Sequence, residues 1–271
     1  MTETTKTSYT VPVVVVTRLS YLGQSGWKVP AEDQKKILFD AERLGDRLNL
    51  FRSIAVASLA MQRNRSFHHY ILTSQSLPDW AKKELEEICL ESYGSDGFTI
   101  DYRRPGQARR FLQLFLEERY GTSPVAQVVL DDDDGLACDF MDDMIALVDS
   151  YIKSDSGSLP HFFSWSLGYG LVFDGNKRPA VYQHRYRFIN LGLTILARPQ
   201  EKNILAIDHR NAPRRFGATV EANKPMFVRS LHPHNDSRVA VSEKWMEVLN
   251  WPDDAEIDAR FPFLKVLADI T

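Results

Sequence analysis

Only two cysteines, Cys89 and Cys138, occur in the 271 residues. They stand in unrelated contexts, which excludes a disulfide framework and a Cys-rich zinc pattern, and fits a reducing compartment. Long apolar runs are missing as well. The first, Val11 to Val16, is far too short to cross a bilayer. The opening residues Met1 to Lys6 are polar, without the basic-then-apolar order of a secretory signal. A cytoplasmic protein is expected, with peripheral contact at the inner face of a membrane left open. Charge of one sign is lacking too: 33 Lys and Arg against 36 Asp and Glu give a net charge of -3. No general affinity for nucleic acid follows. No Gly-x-Ser-x-Gly elbow, phosphate-loop signature, His-Glu-x-x-His, internal repeat or low-complexity tract occurs.

What the chain does have is an apolar run, Val125 to Leu130, that ends in four consecutive carboxylates, Asp131, Asp132, Asp133 and Asp134. Adjacent carboxylates repel and raise one another's pKa unless a cation neutralises them. Hard divalent cations take oxygen ligands, and Mg²⁺ or Mn²⁺ typically combines one or two carboxylates with substrate phosphates. A metal-diphosphate site is therefore the expectation. A solvated turn capping the next helix is the plainer reading.

Periodicity frames this stretch. Buried strands are expected at Val11–Thr17, His68–Ser74, Phe98–Arg103 and Val125–Leu130. Helical stripes lie between them, over 44–61, from Asp79, over 107–120 with Gly121 as terminator, and over 140–152. Strand-helix alternation predicts a mostly parallel, Rossmann-like sheet over about residues 11–150. The second half, about 151–271, reads as antiparallel and loop-rich. A hairpin is expected from 168 to 188 about Asp174-Gly175, followed by a strand at 193–197. Residues 208–242 read as a long polar loop, and 242–250 and 261–270 as short helices. No convincing linker divides the halves, so one α/β domain over 1–271 is expected.

Ligands of open α/β sheets bind outside the carboxyl ends of the parallel strands. That rim would collect Thr17, Arg18 and Ser20 from the first strand, and Thr73 and Ser74 from the second. Tyr102, Arg103 and Arg104 would come from the third, and the aspartates from the fourth. Carboxylates for a metal, arginine forks for phosphate, hydroxyls and an aromatic ring suit a nucleoside diphosphate. Trp27, in the loop after the first strand, is a further candidate for stacking on a base or sugar. His232-Pro233-His234 offers two imidazoles pointing the same way on an extended segment. His68 and His69 enter their strand at the other end and read as structural. Trp165 and Tyr169 read as core, and Arg210, Arg214 and Arg215 as a solvated basic face.

Thr17-Arg18-Leu19-Ser20 with its Tyr21-Leu22-Gly23 loop, and Leu130-Asp131-Asp132-Asp133-Asp134-Gly135-Leu136, resemble glycosyltransferases of the GT-A type. Within that type they resemble the bacterial rhamnosyltransferase family, over roughly residues 11–240. The resemblance implies a nucleotide-diphosphate sugar donor, with rhamnose as the sugar the family name points to. It also implies a saccharide or glycoconjugate acceptor and a divalent metal, Mn²⁺ or Mg²⁺, held by an Asp-x-Asp pair. Carried over, that pair is Asp131 and Asp133, with Asp132 and Asp134 the competing register. A C-terminal His often joins the metal in such enzymes, here His232 or His234. Arg18, Ser20, Thr17, Trp27, Thr73, Arg103 and Asp132 would hold the donor. An inverting reaction needs a carboxylate base. Asp208 leads Asp174 and Glu221, and Asp134 is a further candidate. Two other classes stay open: a nucleotidyltransferase, for which the glycine-poor loop at 21–28 is a weak match, and a non-enzymatic cation- or carbohydrate-binding domain.

Overall fold

The computed structural model describes residues 11–23, 31–154, 158–173, 178–233, 235, 241 and 245–268. Strand β1 (Val13–Leu19) is the centre of a seven-stranded sheet. Its valines serve two cores. Val13 and Val15 pack into the hydrophobic cluster on one face, Val14 and Val16 into the cluster on the other. A continuous β-branched run is what a strand covered on both faces requires.

Helices α1 (Ala31–Leu38) and α2 (Ala41–Leu50) follow. Asp40 caps α2, its carboxylate accepting the Arg43 N–H at 3.0 Å. The helix runs on through a π segment, Phe51–Val56, into α3 (Ala57–Ala60). The predicted stripe of Leu44, Leu48, Phe51, Ala55 and Leu59 is buried as expected. Arg43 and Arg47 are buried on that same helix. Next come β2 (His68–Ser74), α4 (Asp79–Tyr93), β3 (Phe98–Arg103) and α5 (Ala108–Tyr120). Gly121, at φ +60°, ends α5 in a conformation that suits glycine. Strand β4 (Val125–Val129) leads into the aspartates, a two-residue β5 (Gly135–Leu136) and α6 (Phe140–Lys153).

Strands β1 to β4 are all parallel, in the order β3-β2-β1-β4. From β1 the chain moves to one side for β2 and β3, then crosses to the other side for β4. That reversal opens a crevice at the carboxyl ends of β1 and β4. Val16 pairs with Val129, and the Leu130 N–H donates to the Val16 carbonyl at 3.1 Å. Arg18 to Ser20 and Asp131 therefore leave adjacent strands at the same rim.

The second half departs from the sequence reading. It supplies β6 (His161–Trp165), β7 (Leu167–Val172), β8 (Ala180–Arg185), β9 (Thr194–Ala197), β10 (Gly217–Glu221) and β11 (Phe227–Leu231). The expected hairpin exists as the antiparallel pair β7–β8, its turn lying outside the described residues. The strand expected at 193–197 is β9, but it lies between β4 and β6, antiparallel to both. Hence β6, and β10 beside it, run in the same direction as β4, and four of the large sheet's six pairings are parallel. The second half thus completes the first half's sheet. Strands β5, β11, β7 and β8 form a smaller sheet.

The stretch 208–242 is not one long loop. It holds α7 (Ala212–Arg215), β10 and β11. Burial of Phe227, Val228, Ser230 and Leu231 drives β11 into place despite its Arg and Ser. Among the described residues of 242–250 there is no helix: Glu247 bridges to Tyr182 along β8. The end of the described chain is α8 (Ala255–Arg260), a 3₁₀ turn at Pro262–Leu264, and α9 (Lys265–Ala268). No helix among the described residues is long and apolar enough to cross a membrane.

Candidate active site

The four aspartates do not share one fate. Asp132 is buried at 1% exposure and gripped by Arg47 of α2, whose Nε donates to Oδ2 at 3.0 Å and whose Nη2 meets Oδ1. Asp134 is buried, and its Oδ1 accepts the Ser230 N–H of β11 at 2.7 Å. These two carboxylates fasten the cluster to the protein on either side.

Asp131 and Asp133 are placed differently. Asp131 is the least buried of the four. Burial raises its pKa to about 6, with Arg18 pulling it down and the charges of Asp133 and Asp132 pushing it up. Oδ2 of Asp133 accepts from His232 Nε2 at 2.9 Å and from the Asn235 amide at 3.1 Å, with Arg47 Nη1 3.8 Å away. Burial would raise Asp133, but the His232 hydrogen bond and the Arg47 charge outweigh it and hold the carboxyl below its usual range. Asp134 is pushed well up, by burial and then by the charges of Asp133 and Asp131, against the Ser230 N–H. Asp132, Asp133 and Asp134 are all buried and engaged, by Arg47, by His232 with Asn235, and by the Ser230 N–H, while Asp131 lies nearest the solvent with the Arg18 charge close by.

The loop after β1 is fastened to the same rim. Ser20 has φ +43°, an unusual conformation for a residue with a side chain, of the kind that gathers at functional sites. Its carbonyl accepts the Ser74 hydroxyl at 2.9 Å, and the Ser74 oxygen accepts the Leu22 N–H at 2.6 Å. The Tyr21 hydroxyl donates to the carbonyls of Gly106, at 3.1 Å, and Arg104, at 3.3 Å. The Ser20 and Thr73 hydroxyls are buried without a partner among the described residues.

Several sequence expectations change. Thr17 does not face the rim: it is fully buried, its hydroxyl 2.9 Å from His69 Nε2. Thr73 is likewise fully buried. Arg103 is occupied by Asp101 at 2.6 Å and lies over the Phe111 ring, so it is a braced strand-end residue. Asp132 belongs to Arg47 and not to a donor. Asp134 pins β11, its carboxylate taken up by the Ser230 N–H. Asp208 caps the 3₁₀ turn His209–Asn211, accepting the Arg210 N–H at 3.0 Å and lying against the Arg210 guanidinium, contacts that depress its pKa. Trp27, His234 and Asp174 lie outside the described residues. Glu221 ends β10 at the carboxyl rim, its carboxylate accepting from the Asn223 amide at 2.9 Å. His68 and His69 are structural as read. Burial drives His68 down to about 4 and His69 to about 3, and His69 is held between Thr17 and Tyr93. Trp165 packs on Phe140 in the core.

Two site residues escaped the sequence reading, Arg47 and Asn235. Arg43 and Arg47 sit four apart, flanking Leu44 and Leu48 in an apolar stripe, and a cation there needs a buried anion. That signal was legible. Asn235 carried none.

Among the described residues, no group of three or more His, Cys, Asp or Glu side chains is placed so that it could hold a metal ion. Asp131, Asp133 and His232, the residues expected to take a divalent cation, do not stand together as such a group.

Residues 12–244 match the family described as "Putative rhamnosyl transferase". No curated protein matches the chain. Two solved structures of S. aureus TarS are similar in shape, each with a TM-score of 0.43. The first is 10% identical and covers 82% of this chain, which spans 37% of its length. The second, TarS 1-349, is 9% identical and covers 81%, this chain spanning 60% of it. The family match extends over the crevice strands, the aspartates and the His232 segment, and by it the chain belongs to the rhamnosyl transferase family of glycosyltransferases.

Proposed function

We propose that the chain transfers a hexose, rhamnose by its family, from a nucleoside-diphosphate donor to a hydroxyl of a saccharide or glycoconjugate, with Mn²⁺ or Mg²⁺ as cofactor. One observation carries this reading. Four aspartates, an arginine from each of β1 and α2 and the His232 ring meet at the crevice between β1 and β4: Asp132 and Asp134 are held by Arg47 and the Ser230 N–H, Asp133 meets His232 and Asn235, and Asp131 feels the Arg18 charge. Asp131, Asp133 and His232 would hold the metal, His232 being chosen over His234 because its ring already meets Asp133. When bound, the metal neutralises the diphosphate as it departs. Arg18 supplies a second positive charge on the same side. The anchored loop from Ser20 to Leu22 would receive the base and ribose. The buried thiols of Cys89 and Cys138 fit a reducing compartment, where nucleotide donors would be available.

The test is a titration with nucleoside diphosphates, with and without Mn²⁺, on the wild type and on the double variant Asp131→Ala/Asp133→Ala. Metal-dependent diphosphate binding that disappears in the variant is expected. Binding that survives both substitutions would sink the proposal. Tighter binding of a triphosphate than of a diphosphate sugar would favour a nucleotidyltransferase instead.

A further inference from the structure

A cavity of about 320 Å³ lies beside α6, on the opposite side of β4 from β1. Its walls include Asp143 and Leu147 of α6, Trp165 and Glu221 at the ends of β6 and β10, and Asn223 and Lys224 just beyond. Trp165 and Glu221 are paired across these two parallel strands, so their side chains leave the same face of the sheet. Both strands run in the direction of β4. The two residues therefore stand at the rim that carries Asp131.

Trp165 is 3% exposed and packs on Phe140, ring centroids 4.6 Å apart. Its indole N–H nevertheless has no hydrogen-bond partner among the described residues, and it is not sealed from solvent as the Ser20 and Thr73 hydroxyls are. A buried indole N–H ordinarily finds a partner. Here a donor with nothing to donate to stands at the cavity wall.

An acceptor stands next to it. The Glu221 carboxylate takes one hydrogen bond, from the Asn223 amide at 2.9 Å, and no ion pair among the described residues. Its backbone is fixed, the Glu221 carbonyl accepting the Ser166 N–H at 2.9 Å and the Ser166 hydroxyl at 3.1 Å. Lys224 is already neutralised twice, its Nζ lying 2.8 Å from Asp139 Oδ2 and 2.7 Å from Asp143 Oδ2. With Asp143 and Glu221 against Lys224, the wall carries no surplus positive charge, which disfavours an anion such as a phosphate. An unpartnered donor, an unneutralised acceptor and the apolar surface of Leu147 suit a neutral molecule rich in hydroxyls.

We propose that this cavity binds a neutral saccharide unit, one hydroxyl accepting the Trp165 indole N–H and another donating to the Glu221 carboxylate, with Leu147 against the C–H face of the ring. A hydroxyl both donates and accepts, so one sugar ring satisfies both groups. The volume falls at the small end of the range for ligand sites, roughly 300–1,000 Å³. That this sugar is the acceptor rests on the transfer reaction proposed above, because the cavity shares a rim with Asp131; the binding itself does not rest on it.

Nitrogen-15 NMR of the whole chain reads the indole N–H signals of its five tryptophans and tests this with the methyl glycosides of rhamnose, glucose, galactose and N-acetylglucosamine, and with glucose 6-phosphate. Trp165→Phe identifies the Trp165 signal by its loss; should that variant fail to fold, through-space contacts with the Phe140 ring identify it in the wild type. At least one glycoside should shift this signal saturably, and glucose 6-phosphate should bind more weakly than that glycoside. Glu221→Ala should weaken glycoside binding by about tenfold or more, as loss of a hydrogen bond to a charged group does, and Glu221→Gln, which keeps an acceptor, by less. Asp131→Ala/Asp133→Ala should leave glycoside binding unchanged, and Glu221→Ala should leave nucleoside-diphosphate binding unchanged. Diphosphate binding that fails while glycosides still bind would sink the donor reading and leave the cavity's ligand standing. A Trp165 signal that no glycoside shifts would overturn the proposal, as would glycoside binding unaltered by Glu221→Ala, or glucose 6-phosphate binding as tightly as the glycosides.

Discussion

Arg47 and Asp132 face one another through two donor-acceptor contacts, with both side chains sealed from solvent at 7% and 1% exposure. The pair joins α2 to the tip of β4 across 85 residues of sequence. It takes up one carboxylate in a run of four.

Removing only one partner strands a buried charge. Arg47→Met should therefore destabilise the protein by about 3–5 kcal/mol, measured by urea denaturation at pH 7. Arg47→Met/Asp132→Leu should recover most of that loss, because an apolar pair of similar volume leaves no orphan charge. If the single and double variants are equally unstable, the pair is not what holds this corner.

Asp131 sits where burial and its neighbours penalise its charge. Its folded pKa, about 6, lies above its unfolded value of about 3.9. The folded state therefore binds the proton more tightly, and this residue costs stability as pH rises from 4 to 6. Asp131→Asn should then raise stability at pH 7 in metal-free buffer by about 1–2 kcal/mol, while abolishing the stabilisation that Mn²⁺ gives the wild type. Thermal melts with chelator and with Mn²⁺ read both effects.

His232 shares the Asp133 carboxylate with Asn235. His232→Ala should weaken Mn²⁺-dependent diphosphate binding by roughly tenfold to a hundredfold, and Asn235→Ala by about tenfold, as groups that hold or orient metal ligands do. Metal titration of each variant against the wild type gives the ratios. A His232→Ala variant with unaltered affinity would remove it from the ligand set.

Asp208 acts as a cap. Asp208→Ala should cost about 1 kcal/mol of stability and leave donor turnover within about twofold, a change of roughly 0.4 kcal/mol in barrier. Loss of turnover by a hundredfold or more would restore it as the base.

His69 should make the fold acid-sensitive. Its folded pKa is about 3, against about 6.5 unfolded. The unfolded chain takes up the proton first, so stability is complete above pH 6.5 and falls as pH drops toward 3. At pH 5 this one ring should account for roughly 2 kcal/mol. Denaturation midpoints at pH 7 and pH 5, compared between the wild type and a His69→Gln variant, isolate the share of this side chain.

The first half of the fold was legible because its signals are local. Valine-rich β1, the leucine stripe of α2 and glycine-ended α5 each announce themselves within a dozen residues. The second half was not, for the opposite reason. Strand β6, five residues long, gains its identity from β9 and β10, which lie about 30 and 55 residues further on. Strand β10 reads Gly-Ala-Thr-Val-Glu and is mostly exposed, so no apolar pattern marks it. At the site, four adjacent aspartates pointed to a cation, but local sequence cannot say which of them are already spoken for. That answer came from Arg47, 85 residues before, and Ser230, 96 residues after.

The smaller sheet's hold on the aspartates has a consequence for the order in which a nascent chain becomes competent. A chain released after α6 would carry all four carboxylates and the β1 crevice, yet lack the Ser230 N–H, His232 and Asn235 that fix them. Such an intermediate would present concentrated negative charge with no defined geometry for a cation. The aspartates are therefore fixed only once β11 and the residues just after it are laid down.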